Sequence, residues 1–393
     1  MEGTKEVPDL TDTLKAITWS KRLLAYSGIW PLEIRNSLFL PFSFYGCVYS
    51  ILGFLDLADR ITDFHYVLTN IMENMLMFLT MTKFGLCRVK YRSISRFLIE
   101  TENDYIINSY KTEEERMIFM KYNRFAIRMI LIMILLMTFV LLTHYFNAVI
   151  PNVLMVMANS SVEYKLPYKI KPLLKPSDVK RYVFGCIHEF FGITLVLSAY
   201  VGTDCLLTSS GFHLTGQLAV LKCKVKEILN DTDGSQRGIQ KIILRHYHLI
   251  RLADILEDSF NMVMFLHLLG STILICTSSY QMLVSLAVLE KVYIFTFVVY
   301  VFHLSITVFV YCYMGECLIE ESTTLCEEFY HCDWYELSTN DLKSICLCMI
   351  RARKPLQLTC GKFCAVSLCT FTDWPNSICQ FFPVAIITCT TLC

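Results

Sequence analysis

Charge is scarce in these 393 residues. Asp, Glu, Lys and Arg make up 18% against 54% apolar side chains, and the 35 acidic and 35 basic groups cancel. Soluble domains carry nearer a quarter charged residues. A net charge of zero with a pI of about 7.0 signals neither a nucleic-acid partner nor an acidic-lipid one. No phosphate loop, G-x-G-x-x-G, G-x-S-x-G or H-E-x-x-H occurs, so no enzyme activity, cofactor or metal is expected. His188-Glu189 and the Arg245-His246-Tyr247-His248 run stand without the spacing a metal or catalytic site needs. The first 36 residues lack an apolar leader and hold Glu2, Lys5, Glu6, Asp9 and Asp12. No cleavable signal peptide is therefore expected, and the first apolar segment serves as its own insertion signal. Cysteine, at 18, is the one abundance among reactive residues, but no C-x2-C pair recurs at zinc spacing. Thiols such as Cys186, Cys205, Cys276 and Cys312 read as small apolar filler.

What is present is apolar residues in long blocks, with a mean hydropathy of +0.47. Crossing ~30 Å of hydrocarbon takes roughly 20 mostly apolar helical residues. Leu38–Ala58, Ala126–Ile150, Tyr182–Ser209, Met262–Leu289 and Val292–Met314 meet this, and Phe64–Leu86 meets it less well because Glu73 and Lys83 interrupt it. A seventh span is expected within 363–393, broken by Asp373-Trp374-Pro375-Asn376. The fold class is thus an all-α membrane protein, a seven-helix bundle. A 1–37 segment precedes six spans over 38–314, a 315–362 segment follows them, and 363–393 is an atypical last span.

Orientation follows from the basic residues. The segments before span 1 and after spans 2, 4 and 6 hold five, eight, seven and five Lys or Arg; those after spans 1, 3, 5 and 7 hold one, six, one and none. The basic side belongs in the cytoplasm, so the N-terminus is expected inside and the C-terminus outside. The acceptor triplet Asn159-Ser160-Ser161 falls on the expected outer side and is a glycosylation candidate. Glu113, Glu114 and Glu115 ahead of Arg116, Lys121 and Arg124 read as a helix that carries span 3 into the cytoplasm. Helical periodicity on both sides of Asn230-Asp231-Thr232-Asp233-Gly234-Ser235 extends spans 4 and 5 likewise.

Glu73, Lys83, Arg128, His144, His188, Glu189, Asp204, His267 and His303 are ionisable groups inside spans. Such groups are costly in lipid. Most lie near span ends and read as snorkelling, with Glu189 set deeper. Four spans bring aromatics to one outer level: Tyr66 on span 2, Tyr145 on span 3, Phe184, His188 and Phe191 on span 4, and Tyr293 and Tyr300 on span 6. Two readings stand side by side, an interfacial aromatic belt and a cavity for a small, apolar, volatile ligand.

Between Tyr311 and Phe371 the sequence resembles the insect odorant receptor family. The resemblance rests on Tyr311-Cys312-Tyr313-Met314-Gly315-Glu316, Glu321-Ser322, Phe329-Tyr330, Asp333-Trp334-Tyr335, and Met349 through Leu356. Leu358-Thr359-Cys360-Gly361-Lys362-Phe363 and Ser367 through Phe371 complete it, with weaker likeness at Asp204, Gly216-Gln217 and Leu249 through Glu257. It implies a ligand-tuned receptor subunit that joins a co-receptor in a hetero-tetrameric, odorant-gated, non-selective cation channel in the plasma membrane of a sensory dendrite, surrounded by lipid. It also implies an assembly anchor on the inner side, to which Trp334, Tyr335, Arg351, Lys354, Pro355, Gly361 and Phe363 would contribute. After Thr372 the chain departs from the family's pattern, and Pro375 would break a pore helix, so no pore residue is carried over. A gustatory-type receptor channel is the alternative. A G-protein-coupled receptor is disfavoured by the inverted orientation.

Overall fold

The computed structural model describes residues 14–106, 110–157, 164–226, 235–288, 291–332, 335, 337–374 and 376. Asn159, Trp334 and nearly all of the chain after Trp374 lie outside them. Helix α1 (Leu14–Tyr26) is followed by α2 (Asn36–Asp59), α3 (Phe64–Val89) and a short α4 (Tyr91–Thr101). Then come α5 (Glu113–Met157), α6 (Val179–Leu195), α7 (Gly202–Lys226), α8 (Ser235–Val288), α9 (Lys291–His331) and α10 (Thr339–Ala352). A two-stranded hairpin, β1 (Thr359–Cys360) with β2 (Cys364–Ala365), closes the described chain before a helical start at 368–374.

Local chemistry sets the boundaries. Helix α1 ends in a Schellman turn, with Gly28 N donating to Ala25 O at 3.1 Å and Ile29 N to Leu24 O at 3.0 Å. Gly28 supplies the positive φ of 76° that this turn demands. Asp63 caps α3 by accepting from Tyr66 N at 3.0 Å. Three glutamates fill the first turn of α5, where the helix dipole favours them.

Among the described residues, five segments are long and apolar enough to cross a membrane: Asn36–Asp59, Glu113–Met155, Val179–Lys226, Arg237–Leu286 and Val292–His331. Helix α3, carrying Glu73, Lys83 and Arg88, is not among them. At 1.5 Å per residue, α5, α8 and α9 measure about 68, 81 and 62 Å, twice or more the ~30 Å of hydrocarbon. All three therefore continue past the apolar layer on the basic side. Helix α9 runs from the sixth apolar run to His331 without a break, so the boundary expected at 314–315 is not a structural one. Its reason is periodic: Leu318, Ser322, Leu325 and Phe329 keep one buried face going. Phe363, read as the start of a seventh span, instead sits in the hairpin loop, and the helix begins at 368.

The α6–α7 rod is the axis of the bundle. Its apolar window is 78% buried against 17% for α2, whose Leu40, Phe44, Ile51 and Phe54 face outward. Between α6 and α7 lies one stretch of π-helix, Val196–Val201, a register change of the kind found at functional sites. Small and hydroxyl residues along α7 let neighbours come close; a Cβ on Gly211 would meet the Met314 sulfur at 2.0 Å. Cys186, Cys205 and Cys312 are buried free thiols in this packing.

At the centre, Lys83 Nζ of α3 pairs with Asp204 Oδ1 of α7 at 2.5 Å, and neither side chain is more than 2% exposed. Tyr311 of α9 donates to the same carboxyl oxygen. His267 Nδ1 of α8 lies 2.9 Å from Lys83 Nζ and 3.2 Å from the Tyr200 hydroxyl. Lys83 Nζ sits 3.5 Å from the centre of the Tyr200 ring, which the π segment presents. The snorkelling read for Lys83 gives way to a buried network, because the partner that meets its charge is on another helix.

On the basic side, Asp104 accepts from Arg245 Nη2 at 2.7 Å and contacts His213 Nε2 at 3.1 Å. Burial pushes the Asp104 carboxyl up, but His213 and Arg245 outweigh it and hold it below the usual range. Glu321 joins α5 and α7 to α9 by accepting from Tyr122 Oη at 2.7 Å and pairing with Lys222 at 2.7 Å. The hairpin docks on α8 through Gly361 N to Asn261 O at 3.0 Å and Thr359 N to Glu257 Oε2 at 2.8 Å. Gly315 makes room for it: a Cβ there would lie 2.0 Å from the Val366 carbonyl oxygen.

Two stability outcomes follow. Lys83→Met strands a buried carboxylate and should cost about 3–5 kcal/mol, read as a fall in thermal midpoint in detergent. Lys83→Met with Asp204→Leu should recover most of it, and a single variant as stable as wild type refutes the pairing. Second, burial, aided by Arg351, lowers the His246 imidazole to about 4. The unfolded chain takes that proton near pH 6.5, so stability is full above pH 6.5 and falls as pH drops toward 4. Wild type should lose about 2 kcal/mol more than His246→Phe between pH 7.5 and 5, measured by thermal melts. Equal losses refute the assignment.

Candidate functional site: a cavity at the charge-poor end

Opposite the basic side, three helices turn equivalent faces toward one space. Helix α3 offers Met72, Glu73 and Leu76; α5 offers Val140, Leu141 and His144; α9 offers Thr296, Phe297 and Tyr300. Each set has the i, i+1, i+4 spacing of one helical face. Tyr168 closes the space, a cavity of about 50 Å³. Met72, Glu73, His144 and Phe297 also border a larger cavity of about 730 Å³, whose wall includes Asn152, Lys165, Lys169, Gln281 and Tyr293. The larger falls within the 300–1,000 Å³ of small-molecule sites.

The connection between α5 and α6 folds back to make the lid, and two buried acids hold it. Lys169 N donates to Glu73 Oε2 at 2.5 Å, and Tyr168 N donates to Glu189 Oε2 at 3.0 Å. Asn70 and Asn74 of α3 donate to the Lys169 carbonyl at 2.9 and 3.2 Å. The intramembrane acids are thus explained by main-chain N–H groups brought down from a loop. Burial pushes the Tyr168 phenol far above its ordinary range, with Glu73 and Glu189 adding to it, so it stays protonated. Burial draws the Lys169 ammonium down, while Glu73 acts the other way.

Of the seven aromatic-level residues, Tyr300 lines the smaller cavity and Tyr293 the larger. Tyr145 ties helices together instead, donating to the Cys186 carbonyl at 3.0 Å. His188 packs against Tyr45 and Tyr49 at 5.3 and 6.0 Å between ring centres. Phe184, about half exposed, borders with His188 a separate small recess of about 10 Å³ beneath the α5–α6 connection, and Phe191 stands about half exposed on the outer face of α6. Tyr66 donates to Asp56 Oδ2 at 2.5 Å, with Arg60 and Lys169 over its ring. The level was shared, but helical phase decides which rings turn inward. Reading level alone overlooked Met72, Leu76 and Leu141, whose signal was the repeated spacing.

On the basic side, Tyr335, Lys354 and Phe363 are exposed. Arg351 Nη1 donates to the Lys354 carbonyl at 3.4 Å, and Pro355 follows α10. Gly361 turns the hairpin at φ 58°, and the Phe363 ring lies 5.3 Å from that of Phe265. Among the described residues no group of three or more His, Cys, Asp or Glu side chains is arranged to hold a metal.

Comparison with known proteins agrees with this architecture. The family model described as 7tm odorant receptor matches residues 63–378. The odorant receptor coreceptor of Drosophila melanogaster is 32% identical over 149 residues, 38% of this chain and 30% of that protein. Odorant receptor 13a of the same organism is 25% identical over 237 residues, 55% of this chain and 56% of that one. The chain thus spans under a third of the co-receptors it matches and somewhat over half of receptor 13a. The olfactory receptor OR5 of Machilis hrabei, solved in complex with eugenol, superposes with a TM-score of 0.78 over 96% of this chain and 100% of its own. At 16% identity that likeness speaks for the fold.

Proposed function

The chain belongs to the 7tm odorant receptor family, and on that premise we propose that it is the ligand-tuned subunit of an odorant-gated, non-selective cation channel. It lies in the plasma membrane with its N-terminus in the cytoplasm and assembles with a co-receptor as a hetero-tetramer. The reading is carried by the cavity shared by α3, α5 and α9, mostly apolar with a few convergent polar groups, the usual character of a small-molecule site. The basic side, with its long helical extensions, α10 and the exposed Tyr335, Lys354 and Phe363, supplies the surface for subunit contacts. The orientation is supported by the basic residues of the segments between spans.

Currents in cells that co-express a co-receptor test the site. Tyr300→Ala, which opens the smaller cavity, and Leu141→Phe, which narrows it, should each shift half-maximal ligand concentration by about tenfold or more, the scale of one lost or blocked contact. Phe191→Ala, on the outward face of α6, should shift it little. Equal shifts for Phe191→Ala and Tyr300→Ala would return the ligand to the aromatic level as a whole. An N-terminal tag should bind antibody only in permeabilised cells, and surface staining in intact cells would reverse the orientation.

A further inference from the structure

The smaller cavity has one polar side whose groups are left incomplete. The Glu73 side chain is 6% exposed. Its Oε2 takes the Lys169 main-chain N–H, while its Oε1 lies 3.5 Å from His144 Nε2, long for a hydrogen bond. That imidazole nitrogen and the hydroxyls of Tyr168 and Tyr300 are buried with no hydrogen-bond partner among the described residues. All four side chains border the same space. The nearby ammonium of Lys169 is turned to the Tyr66 ring, 4.7 Å from its centre. Buried polar groups almost always find a partner, so whatever fills this cavity completes them. Its 50 Å³ admits water or the head of a small molecule. A carboxylate accepts hydrogen bonds and cannot donate them.

We propose that Glu73 determines ligand specificity, and that the ligand is a small apolar molecule with a hydrogen-bond-donating head, an O–H or N–H, accepted by Glu73 Oε1. Its apolar body extends past Met72 and Phe297 into the larger cavity. The head's own lone pair, where it has one, accepts from the Tyr300 or Tyr168 hydroxyl. This rests on the reading of the cavity as the ligand site. A hydrogen bond to a charged acceptor is about twice as strong as a neutral one. A site built to bind a hydroxyl rejects the isostere lacking it far more sharply than it rejects a missing methylene.

The experiment compares shape-matched probes on the full chain co-expressed with a co-receptor: 1-hexanol and hexylamine as donors, methyl pentyl ether as acceptor only, and phenol against anisole. In wild type the donor members should act at concentrations at least tenfold lower than their ethers. Glu73→Gln keeps a carbonyl for Lys169 N but removes the charge. It should erase most of that advantage by weakening the donor probes, while the ethers, which can now accept from the Gln amide, move the other way or far less. Leu141→Phe should weaken all probes. Alcohols and amines together, or one class alone, preferred over the ethers support the inference and name the head group. Equal potency of alcohol and ether in wild type, silence to every donor probe, or equal shifts for both classes in Glu73→Gln overturn it. The wild-type comparison decides even where Glu73→Gln fails to reach the surface. Responses that Leu141→Phe leaves wholly unchanged place the ligand elsewhere and defeat the site itself, an outcome distinct from failure of the donor preference alone.

Discussion

The charge pair of Lys83 and Asp204 is the constraint around which the bundle is arranged. Neither group can be left unmet away from water, so α3 and α7 must approach until nitrogen and oxygen touch. Tyr311 and His267 then bring α9 and α8 to the same point. Buried pairs of this kind add little net stability, since desolvation offsets attraction. What the pair does here is exclude arrangements: a helix rotated by one residue leaves a bare charge. Helix α3, which is not among the membrane-length apolar segments, is held in place by this requirement more than by its composition.

The same logic recurs at the charge-poor end with the sense reversed. Glu73 and Glu189 are matched to main-chain N–H groups of the α5–α6 connection. A loop entering an apolar bundle carries donors that need acceptors, and two acids placed on different helices supply them. The lid, the acids and the cavity wall are therefore one construction. The rings that close the cavity stand where they do because the loop above them is bonded down.

Much of the architecture was legible in the sequence because lipid imposes a simple rule, an unbroken apolar run of fixed length. The runs at 38–58, 126–150, 182–209 and 292–314 fall inside α2, α5, α6–α7 and α9, and that at 262–289 lies in α8 as far as Val288. The acidic start of α5 and the helical extensions of α7 and α8 also stood in the pattern. The cavity was legible only in part. Tyr300 and Tyr293 lie at its walls, yet Phe184 shares their level and borders a different recess, and Phe191 stands on the outer face of α6. Depth along a helix can be counted from residue number, but azimuth depends on neighbours, and the π segment at 196–201 changes the phase of its rod with no mark in composition. Lys83 looked like a span-end charge because its partner stands 121 positions away, a distance no local pattern bridges.

Helix α8 has a mechanical consequence. It runs without a proline from Gln281, at the larger cavity, to Arg245, bonded to Asp104 on the far side. That stretch is about 54 Å of continuous rod at 1.5 Å per residue. A pivot of about 5° moves its distant end by about 5 Å over that length, more than the span of any hydrogen bond it makes there. The helix thus joins the wall of the larger cavity to the ion pairs of the far side as one unbroken element, with His267 seated at the central charge pair between them as its fulcrum.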